Sequence, residues 1–355
     1  MSQLRQRIRF LHTGDGVKLA WAETGSGPLL VKAANWMTHL EYEWESPTWQ
    51  HWIRFFSEHF HYIRYDERGC GLTDWEVPDL SLEGWIDDLE SVIDAARPEG
   101  PVALLGISQG AATCIAYATR NPDRVSRMVL YGGYARGYNH RANPEKMREY
   151  EVVRDAIRVG WGKENPAFRQ LFTSRFLPEG TLEQLTAFNE LCRRTTSAEV
   201  AAKIMDVRAE LNVVELLSEV RVPTLVIHAR EDHVIPLAEG RLLASGIRDA
   251  EFVELESKNH ILLENEPAWR RFQDAVLDFL GGAAGGDRVD AFASLSPRER
   301  QILGLITEGL SNAEIGEKLK ISEKTVRNHV SSIYDKLGVW SRAQAMVFAR
   351  EHGFQ

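Results

Sequence analysis

The chain has 355 residues, of which 44% are hydrophobic and 26% are charged. These values are typical of a globular protein and exclude a disordered or collagen-like chain. A net charge of −9 is unusual for a nucleic-acid-binding protein. Residues 295–355, however, carry nine basic and seven acidic side chains, a local balance of +2. Charge therefore permits DNA binding by the C-terminal segment without proving it.

No apolar stretch is long enough to span a bilayer, and the N-terminus lacks the apolar core of a signal peptide. The three cysteines, Cys70, Cys114 and Cys192, are an odd number without metal-ligand spacing, so we expect partly buried, inert thiols. These features predict a cytoplasmic protein with no membrane association, no bound metal and no cofactor.

The N-terminal part alternates strand-like and helix-like segments. Two alternating segments joined through Gly14-Asp15-Gly16 predict a hairpin. The short apolar runs that follow are typical of buried parallel strands. Helices are expected at 82–96 and 111–121, and a longer helical insertion at about 134–220. The expected strands are at 8–12, 17–24, 29–34, 62–65, 102–105, 128–131, 224–228 and 252–255. This order predicts a doubly wound α/β domain with a helical lid.

A glycine- and alanine-rich run at 281–286 marks a domain boundary, and only short helices are expected after it. We therefore predict an α/β domain at 1–280 with its lid at about 134–220, a linker at 281–293, and a small all-α domain of four helices at 294–355.

The C-terminal helices are marked by their end signals. Ser296 and Ser311 each begin a capping box, which predicts two helix starts. A third helix is expected at 323–337 and a fourth at about 342–351. Apolar side chains at helical spacing predict the core face of the third helix: Val326, Val330, Ile333 and Leu337. The opposite face is polar, and spacing alone leaves open whether it is merely solvated or reads DNA.

The segments LSPRERQIL (295–303), GLSNAEI (309–315), KTVRNHV (324–330) and KLGV (336–339) resemble, in order and spacing, the LuxR/GerE-type helix-turn-helix domain. The resemblance implies a third helix in the major groove of an operator in double-stranded DNA and a fourth helix that helps to pair two copies as a homodimer. It places Arg327, Asn328 and Ser331 near bases. It places Lys324, Thr325 and Lys336 nearer phosphates.

The motif GISQG (106–110) lies between an expected strand and an expected helix. Its glycines permit a tight turn that projects the Ser108 hydroxyl from the carboxyl edge of the sheet. A serine nucleophile needs a base, and the chain offers His260 and Asp232 directly after its last two expected strands. Glu231, His228 and His233 are neighbouring alternatives.

Residues 8–280, including DERGCGLT (66–73), resemble the α/β-hydrolase superfamily, which uses the order Ser…Asp…His. The resemblance implies Ser108 as nucleophile, His260 as general base and Asp232, four residues before Pro236, as the orienting carboxylate. The oxyanion would be bound by the backbone N–H groups of Gln109 and Trp36. Many family members carry His-Gly before the second of these positions, whereas this chain carries Ala34-Asn35.

Four tryptophans, Trp36, Trp44, Trp49 and Trp52, lie in one segment beside the expected pocket. They would either line a site for an apolar ligand or pack between lid and sheet. Together with Ser108 and His260, Trp36 is the expected ligand-binding residue.

The leading hypothesis is a transcription regulator whose hydrolase-like domain binds a small apolar or ester- or lactone-like molecule. The alternative is an active serine hydrolase, an esterase, thioesterase or lactonase, that is tethered to DNA and processes its own signal. An interaction scaffold without either activity would require both motifs to be relics.

Overall fold

The computed structural model of the chain describes residues 4–141, 144–281, 292, 295–337, 339 and 341–351. Contacts divide the chain into two compact units, Met1–Ala283 and Ala284–Gln355. The predicted linker at 281–293 lies outside the described residues, except for Gly281 and Phe292.

Among the described residues of the first unit, eight strands form one sheet; two were predicted from the alternating hairpin segments and six from the apolar runs. Strands β1 and β2 form the antiparallel hairpin, β2 also pairs antiparallel with β4, and all other pairs are parallel. The order across the sheet is β1-β2-β4-β3-β5-β6-β7-β8. The strands are β1 Arg7–His12, β2 Lys18–Thr24, β3 Leu29–Ala33, β4 His61–Tyr65, β5 Val102–Ile107, β6 Val125–Tyr131, β7 Thr224–Ala229 and β8 Glu251–Leu255.

In the described part of this unit, ten α-helices pack around the sheet or form the insertion after β6. The predicted helix at 82–96 is confirmed, with the Ser81 hydroxyl accepting the N–H of Gly84 at its start. The helices are α1 Leu40–Glu45, α2 Gln50–His59, α3 Leu82–Ala96, α4 Gly110–Arg120, α5 Pro144–Gly160, α6 Ala167–Thr173, α7 Leu182–Thr195, α8 Ala198–Glu210, α9 Leu237–Gly246 and α10 Pro267–Gly281. The predicted helical insertion thus contains α5 to α8.

The core on one side of the sheet is strongly aromatic. Trp52 of α2 is buried against Trp269 and Phe272 of α10, with ring centroids 4.9 and 4.7 Å away, and against Tyr131 at 5.3 Å. The Trp52 indole N–H donates to the backbone oxygen of Leu262 at 3.1 Å. Trp52 is therefore a packing residue, as one of the two interpretations of the tryptophan-rich segment predicted.

The second unit contains the four predicted helices, α11 Pro297–Thr307, α12 Asn312–Leu319, α13 Glu323–Leu337 and α14 Arg342–Glu351. Both predicted capping boxes are formed, at Ser296 with Glu299 and at Ser311 with Glu314. The core of this unit includes the four apolar residues of α13 that helical spacing singled out, Val326, Val330, Ile333 and Leu337.

Within the described part of the chain, no helix combines the length and hydropathy needed to cross a bilayer. Cys70, Cys114 and Cys192 are all buried and unpaired.

Candidate active site and DNA-binding surface

Ser108 lies at a sharp turn between β5 and α4. Its φ of 53° falls in the left-handed region, where a non-glycine residue costs about 1–3 kcal/mol and persists only when the surroundings enforce it. The flanking glycines make the turn possible. A Cβ at Gly106 would lie 2.8 Å from the Cα of Ala111, and one at Gly110 would lie 3.2 Å from the backbone oxygen of Ala33. The GISQG motif therefore has the strand–turn–helix context that its nucleophile interpretation requires.

His260 and Asp232 meet at the carboxyl edge of the sheet, after β8 and β7. The Nδ1–H of His260 donates to Oδ2 of Asp232 at 2.6 Å, and both side chains are buried. The other carboxylate oxygen of Asp232 accepts the backbone N–H groups of Val234 and Ile235 at 2.7 and 2.9 Å. These bonds hold the imidazole with its Nε2 free to accept a proton.

The electrostatics of the pair keep Asp232 ionised. Burial acts to raise the pKa of this carboxyl, but the charge and the hydrogen bond of His260 outweigh it, so the pKa lies below its usual range. His228 is a poorer partner, because its Nε2 lies 3.9 Å from Asp232 and 2.9 Å from the backbone oxygen of Ile235. The other two alternatives, Glu231 and His233, are exposed.

The Oγ of Ser108 and the Nε2 of His260 are both buried and line the same cavity. Neither atom makes a hydrogen bond within the described part of the chain. A catalytic serine–histidine bond is often long before substrate binds, so this geometry is compatible with a nucleophile and base that close on a ligand.

Hydrogen bonds among polar side chains and the backbone stabilise the two loops of the expected oxyanion site. The Gln109 side chain donates to Oε1 of Glu67 at 2.9 Å, and the Glu67 backbone N–H donates to Oγ1 of Thr38 at 2.8 Å. The Asn35 side chain accepts from buried Lys32 at 2.6 Å. These bonds fix the two loops that carry the N–H groups of Gln109 and Trp36. The predicted oxyanion role of both groups stays a prediction.

The cavity beside Ser108 has about 10 Å³ of space, room for roughly one water molecule. The three predicted ligand-binding residues, Trp36, Ser108 and His260, all line it. Trp49 lines it too, whereas Trp44 is partly buried against the main core.

Aromatic residues of the insertion contact two residues of the cavity wall, Trp36 and His260. Trp36 stacks on Trp161 with ring centroids 5.2 Å apart and meets the edge of Phe172 at 4.8 Å. The ring of Phe176 lies 5.2 Å from that of His260, measured between centroids. The backbone oxygen of Phe176 accepts the backbone N–H of His260 at 2.9 Å. The predicted lid therefore contacts both Trp36 and His260.

Sequence reasoning missed three residues of this site: Gly132, Phe176 and Arg208. Gly132 has a φ of 54°, and a Cβ there would lie 3.1 Å from Cε1 of His260, so glycine leaves room for the imidazole. Phe176 and Arg208 line the cavity from the insertion, far from the motifs in sequence. A glycine directly after the fourth parallel strand was the one local signal available.

The exposed face of α13 carries most of the predicted DNA-contacting residues. Lys324, Thr325, Arg327, Asn328 and Ser331 are exposed. Arg327 has one carboxylate nearby, with its Nε 4.0 Å from Glu323, and both side chains are largely exposed. The guanidinium is therefore available for a base edge or phosphate.

Lys336 is engaged within the domain. Its ammonium donates to both carboxylate oxygens of Glu299 at 2.7 and 3.0 Å, and Ser332 donates to Glu299 at 2.7 Å. These bonds, with that from the Ser296 N–H, lower the pKa of Glu299 to about 2. Lys336 thus ties α13 to the start of α11, and its predicted phosphate contact would require it to share this partner.

Comparison with known proteins gives a separate result for each unit. Residues 48–268 match the family model described as serine aminopeptidase, S33, and residues 293–349 match bacterial regulatory proteins, luxR family. A hydrolase from Pseudomonas aeruginosa PA01 superposes with a TM-score of 0.64 and 25% identity, over 78% of this chain and 98% of that one.

Two curated relatives are a DNA-binding regulator and an enzyme. The DNA-binding transcriptional activator DevR/DosR of Mycobacterium tuberculosis is 32% identical over 46% of this chain, which spans 66% of that regulator's length. Pyrrolizixenacetamide deacetylase of Xenorhabdus hominickii is 24% identical over 70% of this chain and 90% of the enzyme. The chain therefore belongs to the serine aminopeptidase S33 family of α/β-hydrolases and carries, as its C-terminal unit, the helix-turn-helix domain of a LuxR-type DNA-binding regulator.

Proposed function

We propose that the chain is a ligand-responsive transcription regulator whose hydrolase domain binds a small apolar or ester- or lactone-like molecule at Ser108. The observation that carries this proposal is a braced His260–Asp232 pair facing a strained Ser108, in the same chain as an exposed DNA-reading helix. A metabolic hydrolase would have no use for that helix. The ligand is a small molecule, the second partner is operator DNA, and the active form is a homodimer.

The small size of the cavity suggests how ligand binding would change the conformation of the protein. Space for one water molecule cannot hold an ester, so residues of the cavity wall must move to admit a ligand, and Trp36 in that wall packs on Trp161 and Phe172 of the insertion. Ligand binding would therefore favour a different arrangement of the insertion. A ligand shifts such an equilibrium by its difference in affinity for the two arrangements.

A second candidate function, hydrolysis of the ligand, is supported by the same triad geometry. In this reaction the Ser108 Oγ attacks the acyl carbonyl carbon while His260 Nε2 takes the hydroxyl proton. The negative carbonyl oxygen is held by the N–H groups of Gln109 and Trp36. His260 then returns the proton to the leaving group, and water releases the acyl group from Ser108 by the same steps. Esters, thioesters, lactones and amides all undergo this chemistry.

In the DNA-binding part of the proposal, α13 enters the major groove, with Arg327, Asn328 and Ser331 facing base edges and Lys324 and Thr325 nearer phosphates. Two copies would bind half-sites about one helical turn apart, which makes the operator pseudo-palindromic. This arrangement is supported by the exposed polar face of α13 and its buried apolar face.

The test combines covalent labelling, ester turnover and a selection of DNA sequences, all with the full chain. Purified protein is incubated with a fluorophosphonate and with short p-nitrophenyl esters, and its intact mass is followed. We expect a single adduct that is absent from the Ser108→Ala variant, and selection from genomic fragments should yield a pseudo-palindromic sequence. Steady ester turnover would favour the hydrolase candidate over pure sensing. Failure of both labelling and DNA selection would refute the proposal.

A further inference from the structure

Arg208 of α8 is a cation in the wall of the Ser108 cavity. Ten described residues line this cavity, and Arg208 is the one arginine or lysine among them. Its neighbours in the wall are mostly apolar, including Trp49, Ile107 and Ile261. Arg208 is partly buried, and apolar walls keep water from part of its guanidinium, so an anionic ligand in the cavity would be stabilised by its charge.

Few groups inside the protein offset the positive charge of Arg208. Its Nε donates to the Tyr134 hydroxyl at 3.3 Å, and its guanidinium carbon lies 5.1 Å from the Trp36 ring centroid. Both partners are neutral. Among the described residues, no carboxylate oxygen lies within 4.0 Å of a guanidinium nitrogen of Arg208. The pair of terminal nitrogens that suits a carboxylate is thus without an ion pair in this part of the chain.

Glu67 is a nearby carboxyl, but it is not a fixed counter-ion. Its Oε1 accepts from Gln109, and its Oε2 is buried without a hydrogen bond among the described residues. Burial raises the pKa of Glu67 to about 7, against the lowering effects of the Gln109 bond and the Arg208 charge. Glu67 is therefore partly protonated near neutral pH and offsets only part of the charge of Arg208.

We propose that Arg208 is the carboxylate-binding residue of the cavity and that the ligand is a small acyl compound with a free carboxylate, such as a dicarboxylic half-ester or a carboxylated lactone. This inference rests on the proposed function, because it names the ligand class of the same site. The guanidinium binds the carboxylate, and the apolar walls contact the carbon chain. The acyl carbon then faces Ser108. Charge-assisted bidentate pairing supplies the selectivity for an anion over a neutral molecule.

The contact with Trp36 links this binding to the lid. Arg208 lies on α8, while Trp36 lies on the loop after β3 that stacks on Trp161 of the insertion. A carboxylate that pairs with the guanidinium in its plane neutralises the charge that attracts the Trp36 ring. Carboxylate binding therefore weakens a contact that holds the cavity closed.

The experiment measures binding rather than turnover. Full-length Ser108→Ala protein is titrated at pH 7.5 with hexanoate and with hexanamide, which differ in charge and little in shape, by isothermal calorimetry and tryptophan fluorescence. We expect hexanoate to bind at least about tenfold more tightly than hexanamide. Adding Arg208→Met should reduce that ratio to about one, and Arg208→Lys should restore part of it.

Arg194→Met provides the matched control. Arg194 also lies over an aromatic ring, with its guanidinium carbon 5.2 Å from the centroid of Tyr42, but it is exposed and does not line the cavity. Its replacement should leave the hexanoate-to-hexanamide ratio unchanged. If the Arg208→Met protein kept the hexanoate-to-hexanamide ratio of its Ser108→Ala parent, or if the parent bound no hexanoate at all, the assignment of Arg208 would be overturned.

Fluorophosphonate labelling of Ser108 separates this inference from the proposed function. The probe carries no charge for Arg208 to bind, and it is applied to the wild-type protein. Wild-type labelling together with equal affinities of the Ser108→Ala protein for hexanoate and hexanamide would refute the carboxylate site and leave the ligand-binding proposal intact. Absence of labelling in the wild type would contradict a reactive Ser108 independently of Arg208.

Discussion

Replacing Asp232 by asparagine is the sharpest single perturbation of the candidate triad. The carboxylate makes three bonds, one from His260 Nδ1 and two from the backbone N–H groups of Val234 and Ile235. An asparagine can keep the two backbone bonds only by turning its carbonyl oxygen toward them. Its amide N–H then faces His260 Nδ1, which must accept rather than donate.

This change at Nδ1 alters the protonation of Nε2, the other nitrogen of the His260 ring. With Nδ1 accepting, the neutral imidazole carries its hydrogen on Nε2, which faces the cavity as a donor and can no longer take the Ser108 proton. In the serine protease template, this tautomer change lowers the rate about 10⁴-fold, or roughly 5.4 kcal/mol at 1.36 kcal/mol per factor of ten. We expect Asp232→Asn to slow fluorophosphonate labelling of Ser108 by about 10³–10⁴-fold.

The measurement is the second-order labelling rate constant, obtained from intact mass against time. Glu231→Gln is the matched control, because it neutralises an adjacent carboxylate that is exposed to solvent. Circular dichroism melting should give similar unfolding temperatures for both variants. If Asp232→Asn were labelled as fast as Glu231→Gln, the assignment of Asp232 as the orienting carboxylate would be wrong.

Three further results are expected. Arg327→Ala combined with Asn328→Ala should weaken binding to the selected operator by roughly 1–3 kcal/mol per lost base contact, while non-specific binding changes less; an unchanged gel shift would refute both assignments. Glu299→Gln should destabilise the C-terminal unit by about 1–2 kcal/mol at pH 7, a modest figure because the Lys336 side chain is 37% exposed. Because the pKa of Glu299 is lowered to about 2, its contribution to the free energy of unfolding is complete above pH 4.5 and is lost as the pH falls towards 2. In acid-unfolding curves, the stability difference between variant and wild type should therefore shrink across that range. A constant difference would contradict the ion pair. Trp52→Ala should destabilise the hydrolase unit by about 3–5 kcal/mol in urea unfolding, because it leaves a cavity between α2 and α10; a loss below 1 kcal/mol would contradict the packing described here.

The elements that the sequence predicted well are those with local signals. The third helix of the C-terminal unit was predicted at 323–337, where α13 lies, because apolar spacing and the preceding turn both define it. The six apolar runs and the two alternating hairpin segments became eight strands for the same reason, since each is a short local pattern bounded by turn signals.

Helices α1 and α2 were not predicted, because both interpretations of the tryptophan-rich segment, a ligand site or packing between lid and sheet, rested on its aromatic content and not on its helical spacing. Trp52, Phe55 and Phe56 are spaced as one face of a helix, and this signal was available in the sequence. Aromatic residues are typical of ligand sites as well as of cores, and most of the aromatic residues of this segment lie in the core.

The pairing of Asp232 with His260 could be predicted, because parallel topology brings the ends of β7 and β8 to one edge of the sheet. The position of Arg208 could not. It lies on a helix of the insertion, 100 residues from Ser108, and no local pattern states which face of that helix meets the sheet. The nearly closed cavity was equally out of reach, because it depends on how Trp36, Trp161 and Phe172 pack together.

The most direct test of the whole account is the operator affinity of the full-length protein before and after Ser108 is phosphonylated, measured by fluorescence anisotropy on the selected DNA at fixed salt. An adduct on Ser108 occupies the cavity and displaces the aromatic contacts that close it, so we expect the dissociation constant to change by about fivefold or more, which corresponds to a coupling free energy of roughly 1 kcal/mol. Identical affinities for fully labelled and unlabelled protein would contradict ligand control of DNA binding.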